Sequence, residues 1–238
     1  MDDPACAPAD IDRSLEALAT VNRWFGGYAA IRRPIERALA VRAPGELRLL
    51  DVGTGGADIP RRLARRLGAA GWRPRLCLTD NHVTTLRFAR GRTDREGAAA
   101  PGVSSTFVLL DAARLPFATD AFDIGFAGTM LHHLETDAAA AFLWELDRVS
   151  RLGWVVSDLR RGAPVRLAVE LLSATIWRRN EPARLDGRVS VRRAFRSGEI
   201  RALLGRAGLG GAVVRAGPFR WVATGGALAR DDRSGAGA

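Results

Sequence analysis

Leu49-Leu50-Asp51-Val52-Gly53-Thr54-Gly55-Gly56-Ala57-Asp58-Ile59-Pro60 is an apolar run that breaks into glycines and then into a helix-compatible segment. It reads as strand, tight loop, helix. Glycines at such a junction let the backbone take positive φ and let a ligand approach the main chain, while the free N–H groups of the following helix point at whatever is bound. A nucleotide-like cofactor fits this junction, and so does a βα turn whose glycines serve geometry alone. Arg61 to Leu67 continues the helix, with Ile59, Leu63 and Leu67 on its apolar face.

The loop narrows the choice of cofactor. A dinucleotide fingerprint needs G-x-G-x-x-G, but counting from Gly53 the third glycine position holds Asp58, an acid where a pyrophosphate would sit. The lysine and Ser/Thr of a nucleoside triphosphate loop are missing as well. What remains suits a cofactor with an adenosine and no phosphate.

Outward from the loop, strand and helix patterns alternate. Arg75 to Asp80 reads as a second strand, about 82–90 as a helix and Gly91 to Ser105 as an exposed loop or insertion. Thr106 to Leu110 is a third strand ending on Asp111, Phe122 to Ala127 a fourth, Ala138 to Val149 a helix and Leu152 to Ser157 a fifth strand. Such alternation means a parallel sheet covered on both faces. Upstream, Ile11, Leu15, Leu18, Val21 and Phe25 recur at helical spacing; Gly26-Gly27 interrupts, and Ile31 to Val41 forms a second short helix. Downstream, Val165 to Trp177 is apolar nearly all round, and an arginine-rich linker with Pro182 and Gly187 follows. Ser197 is placed as the N-cap of a helix running to Gly208. Ala212 to Arg215 and Phe219 to Thr224, separated by Gly217-Pro218, close the fold as an antiparallel hairpin.

Length and composition set bounds. A chain of 238 residues with 47% apolar content makes one globular domain with a sizeable core. The net charge of +10 comes from 36 basic residues against 26 acidic ones. Such a balance suits a nucleic acid or an acidic membrane surface. Every basic residue is arginine, in a chain also rich in alanine and glycine, as a GC-rich coding sequence would give, so the reading adopted is solvated face residues. Two cysteines, Cys6 in a loose N-terminal stretch and Cys77 in a strand, exclude a disulfide framework and a zinc site. The N-terminus lacks an apolar signal core and no segment reaches a membrane span, so the expected location is the cytoplasm.

Ligands in open α/β sheets bind outside the carboxyl ends of the strands, where strand order reverses. Asp51, Asp80 and Asp111 sit in or just after three successive strands, at that edge. An acid ending the second strand can accept both hydroxyls of a ribose, and one after the third can accept from the exocyclic amine of adenine. Aspartates also begin turns and cap helices, but three in register favour a site.

Asp51-x-Gly53-x-Gly55 resembles the first motif of class I S-adenosylmethionine (SAM) methyltransferases, with Ala57 where that motif ends in glycine. Later segments match the family in order. Leu78-Thr79-Asp80-Asn81 looks like its ribose-binding segment and Leu110-Asp111-Ala112-Ala113-Arg114-Leu115-Pro116-Phe117 like its adenine segment. Ala121 to Leu134, with Gly128-Thr129-Met130-Leu131-His132-His133, resembles the fourth-strand motif of small-molecule members, and Leu146 to Trp154 the passage into the fifth strand. The match spans about residues 47–160. It implies SAM as cofactor, with Asp51, Gly53, Thr54, Gly55, Asp80, Asn81, Asp111, Ala112 and Gly128 as the binding set. The expected fold is α/β and Rossmann-like, a doubly wound, mostly parallel seven-stranded sheet with a C-terminal antiparallel hairpin and an N-terminal helical lid. The expected boundaries are a disordered 1–10, a single methyltransferase domain over 11–225 and a disordered tail over 226–238. Within the domain, 11–41 is the lid, carrying Trp24, Phe25 and Tyr28, 47–160 the SAM-binding core and 161–195 the acceptor-pocket insertion.

A sulfonium methyl is already activated, so the protein must hold an acceptor in line with it, exclude water and, for a phenol, remove a proton. His132 and His133 follow the fourth strand and are the catalytic candidates, either as a general base or as residues that order the loop. The region after Asp158 resembles bacterial methyltransferases that modify aromatic polyketides and quinones; Arg160, Arg161, Arg192 and Phe195 are the acceptor-binding candidates. The expected partner is a small aromatic or lipid-like acceptor, most readily methylated on oxygen. Two rivals stay open: a nucleic-acid methyltransferase, which lacks here a base-amine acceptor after the fourth strand and interleaved aromatics, and a SAM-binding module without catalysis. No carboxylate and Asn set is placed to hold magnesium beyond Asp158, so no metal is expected.

Overall fold

The structure, a computed structural model, describes residues 13, 15–20, 22, 25–95, 102–210 and 212–230. The expected disorder over 1–10, the end of the tail from 231, Cys6, Trp24 and residues 96–101 of the expected 91–105 loop lie outside these.

Five parallel strands form the centre: β1 (Glu46–Val52), β2 (Arg73–Asp80), β3 (Ser104–Leu109), β4 (Phe122–Gly128) and β5 (Ser150–Leu159). The hairpin β6 (Val213–Ala216) and β7 (Arg220–Gly226) joins antiparallel to β5, giving the order β3-β2-β1-β4-β5-β7-β6. Strand order therefore reverses between β1 and β4. The register pairs Asp51 with Phe126, Val52 with Thr79 and Gly128 with Ser157, so the carboxyl ends of β1, β2, β4 and β5 rise to one rim.

The central strands are buried on both faces, and alternate residues divide between two cores. Leu49, Phe126 and Val155 pack with Ile31, Ile35, Leu63 and Leu67 on one side. Leu50, Trp154 and Val156 pack with Phe142, Leu146, Leu203 and Trp221 on the other. Helices α1 (Gly27–Leu39) and α2 (Asp58–Ala69) cover the first face, and α4 (Thr136–Val149) and α7 (Ser197–Arg206) the second. Helix α3 (Val83–Arg95) lies against β2 and β3.

Four expectations need correction. Helix α1 is a layer of the core, with Ile31 and Ile35 fully buried, rather than part of a lid. Tyr28 on it is turned to α2, where its hydroxyl donates to the Arg62 carbonyl and Arg62 lies 4.3 Å from its ring centroid. The arginine-rich linker is a helix, α6 (Glu181–Arg193), packed with α5 (Ala163–Ala174) in a small third core of Val165, Val169, Trp177 and Val191. Pro182 and Gly187 misled the reading: Pro182 stands in the first turn, where no N–H is needed, with the Asn180 side chain accepting from Ala183 N–H as cap. Gly187 lets Trp177 approach, since a Cβ there would lie 3.0 Å from the indole. Arg196 rather than Ser197 is the N-cap of α7, its N–H donating to the Glu199 carboxylate. Residues of the expected tail form a short helix, α8 (Ala227–Arg230), with Leu228 in the core.

The β5–β7 pairing depends on Gly153, whose φ is 133° and whose Cβ would lie 2.3 Å from the Gly225 carbonyl oxygen. Gly153→Ala is expected to destabilise by about 1–3 kcal/mol, the usual cost of overpacking, in urea unfolding. An unchanged midpoint would contradict this register.

Candidate functional site

The turn after β1 is built on left-handed residues. Gly53 has φ 73° and Gly55 φ 53°, and a Cβ on Gly53 would lie 2.5 Å from Met130 Cγ. The turn is fastened to the end of β2: Thr54 N–H donates to the Thr79 carbonyl at 2.8 Å, and Gly55 N–H donates to Asp80 Oδ2 at 3.1 Å. The other Asp80 oxygen accepts from His82 N–H at 3.1 Å. Ala57, in the family's glycine position, also takes φ 54°. The local cost of that conformation for an L-residue is on the order of 1–2 kcal/mol.

Against this turn lies a cavity of about 770 Å³ counted to its open mouth. Gly53, Gly55, Asp80, Asn81, Asp111 and Ala112 line it, joined by Met130 and His133 from the other side of the switch point. Asp51 and Thr54 are buried and do not line it. Gly128 also lies outside; its missing Cβ makes room for Ile59. One Asp111 oxygen accepts from Ala113 N–H and so holds its own turn.

Electrostatics disfavour a further negative group. Burial, with Asp58 and Asp80 close by, pushes the Asp51 carboxyl up to about 8, against the opposing effect of Thr54. Asp58 is raised by burial despite a hydrogen bond from Asn22, and Asp80 by burial despite the two backbone N–H groups it accepts. Three acids share one desolvated loop, with Arg92 and Arg61 acting on Asp58 and His82 and His133 on Asp80, and a pyrophosphate there would add negative charge.

A second cavity, about 700 Å³ counted to its mouth, adjoins the first; Leu18, Thr129 and His133 line both. Its walls are mostly apolar: Phe25, Val165, Val169, Leu172, Trp177 and Phe219 among them, with Phe25 and Phe219 edge to face at 5.1 Å. His132 lies in the wall. Its ring Nδ1 is 2.9 Å from Asp158 Oδ1, its backbone N–H donates to Asp158 Oδ2 at 3.0 Å, and its Nε2 is buried with no partner among the described residues. Burial alone would raise the Asp158 carboxyl, but His132 and the Leu159 N–H outweigh it and hold it below the usual range.

The four expected acceptor residues are not in that wall. Arg160 donates to the Gly217 carbonyl, Arg161 pairs with Glu199, Arg192 is exposed at the end of α6 and Phe195 packs on the α4–α7 core. The sequence reading also passed over a buried relay between the cavities. Arg220 donates to Thr129 Oγ1 at 2.8 Å and to Asn22 Oδ1 at 3.1 Å, and the Asn22 amide donates to Asp58 at 3.3 Å. Burial pulls the Arg220 guanidinium below its ordinary value while Asp158 and Asp58 pull it back. Thr129 takes φ 61°, a strained conformation that marks this corner.

Residues 49–153, the stretch from β1 to the middle of β5, match the sequence profile of a methyltransferase domain. This stretch is what the chain shares with methyltransferase domains. The chain has no match in sequence among proteins of curated function. Its fold is similar to that of a SAM-dependent methyltransferase from Aquifex aeolicus, with a TM-score of 0.58 and 16% identity over 92% of this chain and 98% of that one. Human N-acetylserotonin methyltransferase in complex with SAM gives 0.62 and 12% over 92% and 56%, and the CMeT domain of citrinin polyketide synthase 0.58 and 16% over 79% and 49%. The fold is that of SAM-dependent methyltransferases; the protein is an enzyme, and its cofactor is SAM. The acidic, glycine-cradled cavity fits that group.

Asp80→Ala is expected to weaken SAM binding by roughly 1–3 kcal/mol, the range for losing charge-assisted hydrogen bonds, in titration calorimetry; an unchanged dissociation constant would exclude it as a ligand. Asp51 supplies a second check. Its folded value of about 8 exceeds the ordinary 3.8, so its cost to stability is absent below the ordinary value and grows as pH rises towards 8. Without SAM, Asp51→Asn is expected to melt higher than the parent at pH 8, by a margin that closes towards pH 4. A margin independent of pH would contradict the assignment.

Proposed function

We propose that the methyltransferase acts on a small acceptor, phenolic or polyketide- or quinone-like, and methylates it on oxygen. One observation carries the reading: the apolar cavity beside the cofactor cavity has His132 in its wall, held by Asp158 at Nδ1. An enclosed apolar lining suits a flat aromatic ring better than a charged strand.

Bound SAM supplies a methyl group already activated by its positive sulfur. Asp80, Asn81, Asp111 and Ala112 would hold the adenosine, with Gly53 and Gly55 cradling the rest. Asp158 accepts the Nδ1 proton of His132 and so leaves the lone pair on Nε2, the nitrogen that would serve the acceptor. There it takes the proton of a phenol hydroxyl as the oxygen becomes nucleophilic, and Asp158 stabilises the imidazolium that results. His133 and Thr129, on the wall common to both cavities, keep water from the junction.

Methyl-labelled SAM with a panel of hydroxylated aromatics and quinones tests this. Transfer to at least one phenol is expected, and transfer only to RNA would contradict the reading. His132→Ala is expected to lower turnover by about 10²-fold or more, the usual worth of a general base, with SAM affinity unchanged. Full turnover would remove His132 from the mechanism.

A further inference from the structure

The α5–α6 hairpin carries two sets of apolar side chains. Val165, Val169 and Trp177 wall the apolar cavity. Leu167, Leu171, Ile176, Leu185 and Val189, none of which lines that cavity, are five of the nine large apolar side chains exposed among the described residues. Leu167 and Leu171 stand four residues apart on α5, and Leu185 and Val189 four apart on α6, so each pair stacks on one side of its helix. Concentrated exposure of this kind marks an interaction surface.

Charge indicates the partner. Residues 163–193 hold seven arginines against three acids, and Glu170 is already bound by Arg188 at 2.7 and 2.9 Å. Arg166, Arg178, Arg179, Arg192 and Arg193 are exposed. A second copy meeting this face about a two-fold axis would set arginine against arginine. A nucleic acid would leave the leucines without use. Leucines and arginines together on helices too short to cross a bilayer are the pattern of a segment lying in a membrane interface.

We propose that this hairpin docks on an anionic lipid bilayer, its leucines in the acyl boundary and its arginines among the headgroup phosphates. The docked hairpin then sets the adjoining cavity close to the lipid, where an amphiphilic acceptor would be drawn from the membrane. That last step rests on the acceptor reading of the cavity; the docking does not.

The test uses the full chain and vesicles of phosphatidylglycerol or of phosphatidylcholine in co-sedimentation, without substrate. Binding to phosphatidylglycerol vesicles is expected, reduced by roughly tenfold or more in Leu167→Ser/Leu171→Ser and in Arg178→Glu/Arg179→Glu, and weakened by salt. None of these four side chains lines the cavity, so both variants are expected to keep the parent melting temperature and the rate on a water-soluble phenol. No binding to phosphatidylglycerol, equal binding to both lipids, or a dimer in sedimentation velocity that the same variants abolish would each overturn the proposal. Loss of methyl transfer with vesicle binding intact would count against the acceptor reading alone, and leave the docking supported.

Discussion

The site depends on the hold of Asp80 on the glycine turn. Its carboxylate accepts the Gly55 N–H and, two residues on, its own chain at His82, so that the end of β2 fixes the turn leaving β1. Asp51 and Asp58 lie buried close by, Asp58 with Arg92 and Arg61 beside it. Burial raises all three carboxyls above their ordinary values, so added negative charge there is unfavourable. A sulfonium adds none, and the exclusion of pyrophosphate follows from the same burial.

From this corner the strand order does the rest. Because the sheet reverses between β1 and β4, residues that follow β4 stand across the crevice from the glycine turn. Met130 therefore packs on Gly53, and His133 and Thr129 separate the two cavities. The parallel pairing of β4 with β5 brings Asp158 under His132, and the antiparallel return of β7 brings Arg220 under Thr129. Polar groups buried at this depth need partners, and His132 Nδ1 and the Arg220 NH groups find theirs on distant stretches of chain.

The glycine turn, the alternation of strands and helices, and the acids at the rim were legible in the sequence because each is a local pattern. So was the cavity they line, for Gly53, Gly55, Asp80, Asn81, Asp111 and Ala112. Gly128 lies outside that lining, and a glycine at a strand end reads equally as a ligand approach and as room for a neighbour, here Ile59. The His132–Asp158 pair and the Arg220 relay were not legible, since they join residues 26 to 198 positions apart through strand register. Arginine identity said nothing of destination: Arg160 and Arg161 serve the fold, while Arg220, unremarked in the sequence, is buried between the cavities. Helix α6 was hidden by breakers in tolerated positions.

Titration calorimetry of the purified protein with SAM, and separately with nicotinamide and flavin dinucleotides, bears most directly on the crowded-carboxylate cavity. Heat of binding for SAM and none for either dinucleotide is the predicted result. Heat for a dinucleotide with silence for SAM would contradict the account.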